Sequence, residues 1–565
     1  MSLISALQVA SNSMQAAQIG LQVVGNNVAN SATPDYLRQE VVLTPAPGYR
    51  KGGLILGLGV DVQAVIQKSD GFLEERLRSA QSDLASGEAQ EEAHSQLEVL
   101  LGELGDTGVS ATLNRFFGAI NDVLNQPESI AARNLASLEG KTLANDLNRL
   151  NSRVTNIITA TDQSISDGAA DINRLLGDIA DLNQQIVTAE AGDVTASDAV
   201  GLRDQRLGAL KELSSIINIQ SYEQESGAMT VLVGGEYLVV DSRFREVTAV
   251  TTTTAGIRNT EVRFKETDSP LNLSSGKLAG LIESRDKILG GFLDQLNDFS
   301  KSLAFEFNRV FANGQGLVGH QSITSQDAVS SSSVALDQAG LAFSPSNGSF
   351  KIQTRNLQTG VTKTTEIPVR LFGLPDDTSL DSLAASINGI DGLSARVTAQ
   401  RKLEITSDSA NIDFAFSEDT SGALAALGIN TFFTGSSAAS IGVNVTVLND
   451  PRKFNASLGG IGVDSKNGEL LGAFATRPLE SAGGETISGL YDRIAAGVTQ
   501  SSAVAKSVAE GFRVFQKTLE GQHFAISGVN LDQETVKMLT YQRMFQASAR
   551  FVAAVNELLG MLVEL

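Results

Sequence analysis

Leu3, Leu7, Ala10, Met14, Ala17, Leu21, Val24 and Val28 follow one another at alternating steps of four and three. That is the heptad seam of a helix that packs lengthwise against other helices. No charged residue precedes Asp35, and the polar positions are Ser, Gln and Asn, so several sides can be enclosed without burying an ion. Alone, such a helix has no cover for its dry stripe and is unstable. The far end of the chain repeats the design with a wider stripe. Met538, Phe545, Val552 and Leu559 form one seven-residue row, Tyr541, Ser548, Val555 and Leu562 a second, and Met544, Phe551, Leu558 and Leu565 a third. This face is broader than one partner helix covers, and a dry terminus has to be tied down. The economical arrangement pairs the two ends with each other and with copies from neighbouring molecules. The plainer alternative packs both onto one private core, since periodic stripes usually mean core.

The 565 residues fit about three or four domains. A net charge of −21 argues against nucleic acid, whose phosphates call for a basic surface. With no cysteine there is no disulfide, thiolate nucleophile or cysteine metal site. The start of the chain lacks the basic region and apolar core of a cleavable signal peptide. No apolar run reaches the length of roughly 18 residues that membrane insertion needs. Only 10 prolines permit long helices, while 53 glycines belong in turns and a β-rich portion.

Along the chain, Asn30 is expected to cap the first helix in a left-handed conformation, and Pro34 to push Thr33 out of helical geometry. Strands are expected over 39–43 and 54–65, separated by Pro45, Pro47 and Gly48; the cluster Gly52, Gly53, Gly57 and Gly59 lacks phosphate-loop spacing and marks a hairpin turn. Helical periodicity fills 70–192, its longest stretch running from Ile130 with Gly168 as a candidate kink. A helix at 202–215 gives way to period-two strands with turns at Ser226-Gly227 and Gly234-Gly235. Helical pattern resumes at Gly276 and carries to Asn308, and the serine run at 330–333 has linker composition. Strands around Phe350, Ile367, Ala395 and Leu403 flank one helix near 380–390, and helix returns over 488–523. The expected fold is multidomain α+β, with paired terminal helices, a long α-helical stalk and two β-rich inserted domains. The expected division is 1–66 with 524–565 as the axial core, 67–215 with 275–325 and 466–523 as the stalk, 216–274 as a small β domain, and 326–465 as an outer insert.

Read as motifs, Asn26-Asn27-Val28-Ala29-Asn30, then Thr33-Pro34-Asp35-Tyr36 and Arg38-Gln39, resemble the signature of flagellar rod, hook and junction proteins. Asp35 stands where glycine is usual, a place Asp tolerates better than most residues. Ser527-Gly528-Val529-Asn530-Leu531-Asp532 resembles the C-terminal motif, with Gln533-Glu534 in place of two acids and Phe545 in place of tyrosine. Within that axial family the interior matches, 179–183, Arg203-Asp204-Gln205-Arg206, Phe307-Asn308 and 426–433, resemble hook-associated protein 1, the first hook–filament junction protein. The resemblance covers essentially the whole chain.

It implies a structural protein, exported unfolded by a type III route and assembled as a ring outside the cell. Its implied partners are the hook protein, the second junction protein and an export chaperone at the C-terminal helix. The motif residues Asn26, Asn27, Asn30, Thr33, Pro34, Tyr36, Ser527, Gly528, Val529, Leu531 and Asp532 belong to this implied assembly core. Ordering the two ends costs about 1–2 kcal/mol per residue of backbone, which burial of neighbouring stripes offsets on assembly.

Other chemistry is weakly supported. His94, His320 and His523 lack metal-site spacing. Adjacent acids at Asp376-Asp377 and Glu74-Glu75 are solvated charges by default, and no nucleophile elbow appears. An enzyme, a cofactor and a metal are therefore not expected. A hook-like or flagellin-like filament subunit shares the seams, and a secreted adhesin shares the non-cleaved export, but the interior motifs favour the junction protein.

Overall fold

The computed structural model describes residues 3–33, 35–51, 54–102, 108–190, 199–254, 257–479 and 483–563. Pro34, Gly52, Gly53 and Leu565 lie outside them, as does the Leu562 side chain. The helices are α1 (Leu3–Ala29), α2 (Gly71–Gly102), α3 (Val109–Asn125), α4 (Ile130–Glu190), α5 (Val200–Ile216), α6 (Lys277–Glu283) and α7 (Gly290–Phe311). They continue with α8 (Leu380–Asn388), α9 (Ala423–Leu427), α10 (Val445–Asn449), α11 (Lys466–Gly472), α12 (Ile487–Ser527) and α13 (Leu531–Val563). Small antiparallel sheets separate them, so the chain is multidomain α+β. Two compact units result, one of Met1–Ala93, Thr159–Arg285 and Ala503–Leu565, the other of His94–Ile158 and Asp286–Ser502. Among the described residues no helix is long and apolar enough to cross a membrane.

In the first unit, strand Gln39–Pro45 pairs antiparallel with Val60–Gln67, Gln39 opposite Gln67. The strand expected over 54–65 is two strands, Leu54–Leu56 and Val60–Gln67. Gly59 breaks it at φ 89°, a backbone conformation a side chain would strain. Tyr49–Lys51 pairs antiparallel with Leu54–Leu56, Lys51 opposite Leu54; the expected turn at Gly52 and Gly53 lies outside the described residues. The small β region holds a four-stranded meander, Ile219–Glu223, Met229–Val233, Glu236–Val240 and Arg243–Phe244, and a hairpin of Val247–Thr254 with Ile257–Phe264. Gly234 and Gly235 both take positive φ, as a tight two-residue hairpin turn requires. Beneath lie Ile172, Leu175 and Ile179 of α4 with Leu210 and Leu213 of α5.

Helix α4 continues through Gly168 for 61 residues, roughly 90 Å at 1.5 Å per residue. The helix expected to run on from Gly276 is interrupted by a π-helical segment, Ser284–Leu289. There the Arg285 Nη1 donates to Asp162 Oδ1 at 2.9 Å and to the Thr260 carbonyl at 2.7 Å, all three residues buried. A π-turn of this kind re-aims one side chain within a helix; apolar periodicity carries no sign of such a polar demand.

The second unit is built on an aromatic core. Phe116, Phe307, Phe311, Phe432, Phe433, Phe454 and Phe474 are closed to solvent, with ring centroids such as Phe307–Phe433 at 5.3 Å and Phe432–Phe433 at 4.8 Å. Beside it, Gly348–Asn356 pairs with Thr362–Val369 and with Ile412–Ser417, and Leu403–Ser407 pairs with Leu393–Val397 and Ser322–Thr324. The serine run is no linker. Ser330 N bonds the Ala339 carbonyl and Ser332 O accepts from Asp381 N, and strand Ser322–Thr324 joins this sheet before the run begins.

Candidate functional site

The first and last segments of the chain meet at a buried amide. Asn27 sits near the end of α1 with no solvent exposure. Its Oδ1 accepts from Gln39 N and the Tyr36 hydroxyl, both at 2.9 Å. Its Nδ2 donates to the Gln39 carbonyl at 2.9 Å and to Glu534 Oε2 at 3.0 Å. Glu534 is itself fully buried, and Lys537 Nζ lies 3.4 Å from its other oxygen.

Local sequence delivers Glu534 to that place. Helix α12 ends at Ser527, and a side chain at Gly528 would collide with the Phe524 carbonyl. The Asn530 Oδ1 then accepts from Asp532 N and Gln533 N at 3.0 and 3.1 Å, the capping that starts a helix. Gln533 and Glu534 thereby occupy the first turn of α13. Arg38 reinforces the tie, its N donating to Ser527 O at 2.9 Å and its Nη1 to Gln533 Oε1 at 2.8 Å.

Around this centre Asn26 Nδ2 reaches Gln39 Oε1 at 3.2 Å and the Tyr36 hydroxyl at 3.3 Å. Asn30 Nδ2 donates to Asn26 Oδ1 at 3.0 Å, and Thr33 Oγ1 donates to Asn30 Oδ1 at 3.1 Å. Asn30 is not left-handed, contrary to expectation. Its N still bonds Asn26 O at 3.0 Å in the helical manner, and the left-handed residue is Asp35 at φ 57°, held by Lys211 Nζ at 2.7 Å. Leu37 N and Gln67 Nε2 converge on Asp204 Oδ1 at 3.3 and 2.6 Å. Burial pushes the Asp204 carboxyl up to about 6, with those two hydrogen bonds opposing it. Burial, then the Asp204 and Glu534 carboxylates, raise the Tyr36 phenol to about 12, so its hydroxyl stays a donor at neutral pH.

Along α1 the structure buries Ala10, Ala17 and Val24, and leaves Leu3, Leu7, Met14, Leu21 and Val28 half-buried. Ala6, Ala16, Gly20, Val23 and Asn27 are buried as well. One row, Ala6, Ala10, Ser13, Ala17, Gly20, Val24 and Asn27, again steps by four and three; all of it is buried except the half-buried Ser13, and most of its side chains are small. Gly20 shows why: a Cβ there would stand 2.6 Å from the Tyr541 ring. On α13, Ser548 and Val555 are buried, and Met538, Tyr541, Val552 and Leu559 are half-buried. Phe545, Phe551, Leu558 and Met561 remain 36–50 % exposed. The motif residues Val529 and Ser527 are buried, Leu531 and Asp532 exposed.

Gln39, Asn530, Gln533 and Glu534 carry the tie and were not among the expected site residues. The signal for the last three was present, since Asn530 followed three residues on by Gln533 is a helix-start pattern. Among the described residues no group of three or more His, Asp or Glu is placed to hold a metal ion. His320 is buried, with Nε2 3.1 Å from Asn430 Oδ1; burial lowers it to about 4 and keeps it neutral. His523 pairs with Glu74.

Chain ends locked into one helical pair, with the middle of the chain spent on inserted domains, are the design of an axial assembly subunit. Residues 94–324 match the flagellar hook-associated protein FlgK helical domain, and residues 521–565 the flagellar basal body rod FlgEFG protein C-terminal region. Flagellar hook-associated protein 1 of Salmonella typhimurium is 24 % identical over 588 aligned positions, covering 99 % of this chain and all of the relative. The Escherichia coli protein of that name is 23 % identical at the same coverage. The Bacillus subtilis protein is 26 % identical over 56 % of this chain and 68 % of its own length. In fold, the chain is similar to the flagellar hook junction protein FlgK from Burkholderia pseudomallei, with a TM-score of 0.52 at 13 % identity, over 79 % of this chain and 99 % of that one. Over nearly its whole length the chain is thus similar to flagellar hook-associated protein 1.

Proposed function

We propose that the chain is a structural part of the bacterial flagellum that joins hook to filament, and that its two terminal helices are the assembly surface. The observation that carries this is the mismatch at the pair α1–α13. The hydrogen bonds that join Asn27 to Tyr36, Gln39 and Glu534 are made inside one chain, yet Phe545, Phe551, Leu558 and Met561 stay open to solvent. A soluble monomer gains nothing from an open row of that size, whereas a subunit enclosed by copies of itself buries it.

On this reading the seam residues Leu3, Leu7, Met14, Leu21 and Val28 face neighbouring subunits, and Ala10, Ala17 and Val24 the chain's own α13. The hook protein on one side, the second junction protein on the other, and further copies in a ring are its partners. Before assembly an export chaperone covers the C-terminal helix, and the chain leaves the cell through a type III route. The four-part division into axial core, stalk, small β domain and outer insert is the matching assignment of labour, with no catalytic role.

The test replaces Phe551 and Leu558 together by Asp. The variant is expected to fold with an unchanged circular dichroism spectrum, and to be absent from isolated hook–filament junctions. Normal incorporation of the folded variant overturns the reading.

A further inference from the structure

Three arginines of the first unit converge on one cavity of about 260 Å³, lined by Arg78, Arg203, Arg206, Ser221, Glu223 and Leu37 among others. Two of them belong to the Arg203-Asp204-Gln205-Arg206 motif, whose aspartate serves the tie at Leu37 while its arginines take no part there. Their charges are matched. Arg203 holds both oxygens of Glu190 at 2.9 Å and donates to Glu223 at 2.6 Å. Arg206 donates to Glu223 at 3.0 Å, to Asn183 Oδ1 at 2.9 Å and to the Gly227 carbonyl at 2.7 Å.

Arg78 is different. It is 8 % exposed, and among the described residues its Nε has no hydrogen-bond partner. Glu74, one turn earlier on α2 and also on the cavity wall, gives its carboxylate to His523. The Ser221 hydroxyl on the same wall is likewise buried without a partner. Burial pulls the Arg78 guanidinium below its ordinary value, and attraction from Glu74 and Glu75 offsets only part of that. A buried guanidinium nitrogen lacking a hydrogen bond is costly. A hydroxyl and a guanidinium with an unpartnered Nε, on residues lining one cavity, are the donor set of an oxyanion site, because the fork geometry of arginine matches carboxylate and phosphate.

We infer that this cavity binds a small oxyanion, a carboxylate or a phosphate, with Arg78 as its counter-charge and Ser221 as a neutral donor. The site lies apart from the assembly row, and its existence does not depend on the assembly reading.

The test is titration calorimetry on the full-length protein at fixed ionic strength, with inorganic phosphate and with acetate as separate probes and chloride as the balancing salt. Saturable binding of either probe is expected, phosphate alone marking a phosphate-type ligand and acetate a carboxylate. Arg78→Met is expected to weaken it at least tenfold, Arg78→Lys less, and Ser221→Ala a few-fold. Melting curves separate this from a structural role. An arginine that is only a buried misfit predicts that Arg78→Met melts higher than the parent and that phosphate shifts neither. A binding site predicts a phosphate-dependent rise in the parent that Arg78→Met lacks. Ser221→Ala leaves the buried charges untouched and keeps the question open to measurement if Arg78→Met fails to fold. Absence of saturable binding of both probes to the parent overturns the inference.

Discussion

In the second unit Phe307 stands between Phe116, Phe432, Phe433 and Phe474, all with ring centroids within 5.6 Å of it and no face left to water. On α13, Phe545 and Phe551 keep 36 and 46 % of their surface exposed in a helix of comparable dryness. The same residue type therefore does two jobs. Inside the aromatic core each ring finds complementary edges and faces within one chain. At the chain ends the buried seam of α1 is mostly Ala and Gly, with Val24 and Asn27 at its end, the pair is pinned by hydrogen bonds at Asn27, and Phe545, Phe551, Leu558 and Met561 are kept outside it. One region is finished on folding; the other holds its apolar surface for a further event.

The sharpest way to break this contrast is to truncate both kinds of ring. Phe307→Ala is expected to cost about 3–5 kcal/mol in denaturant unfolding of the full chain, whereas a loss under about 1 kcal/mol would mean the core is loosely built. Next comes the tie. Asn27→Leu leaves Gln39 N, the Tyr36 hydroxyl and the Glu534 carboxylate without their partner, and is expected to cost about 1–3 kcal/mol, read as earlier loss of helical signal from the ends. Gly20→Ala presses a methyl into the Tyr541 ring and is expected to cost about 1–2 kcal/mol. A double-mutant cycle with Tyr541→Ala should at least halve that cost, and simple additivity would show that the two helices are not seated as described.

Smaller effects complete the series. Phe551→Ser changes monomer stability by under about 0.5 kcal/mol, as exposed positions generally do, and a larger loss would place Phe551 in a core. Asp204 supplies a pH test. Its folded carboxyl holds its proton to about 6 against an ordinary 3.8, so between those values the folded state binds more protons than the unfolded. Stability from this group accordingly falls as pH rises through that window and is flat above it. Asp204→Asn should remove that slope in melting temperature measured from pH 4 to 7.

Much of the fold was legible because helices of this length announce themselves. The 61-residue α4 and the terminal helices follow from period alone, since every turn repeats the same burial demand. The π-segment at 284–289 was not legible, because it answers to Asp162, more than a hundred residues away in the chain, and no local pattern records that. Serine composition at 330–333 read as a linker although its backbone is bonded to Ala339 and Asp381; composition reports solubility, not partners. The motif at Asn26-Asn27 marked the right place, but which amide is buried, and that Glu534 is its mate, needed the chain ends brought together.

From the sequence alone come the two dry terminal stripes, the inserted β regions and the absence of cysteine, because periodicity and composition are local properties of the chain. Tertiary structure decided which side of each stripe is used up inside the molecule. The Leu and Met row and the neighbouring Ala and Gly row of α1 share one helix and one period, so either can face a partner. Only the Tyr541 ring over Gly20, and the polar tie holding α13 at that distance, select the small side chains for the inner contact and leave the large ones for the outer.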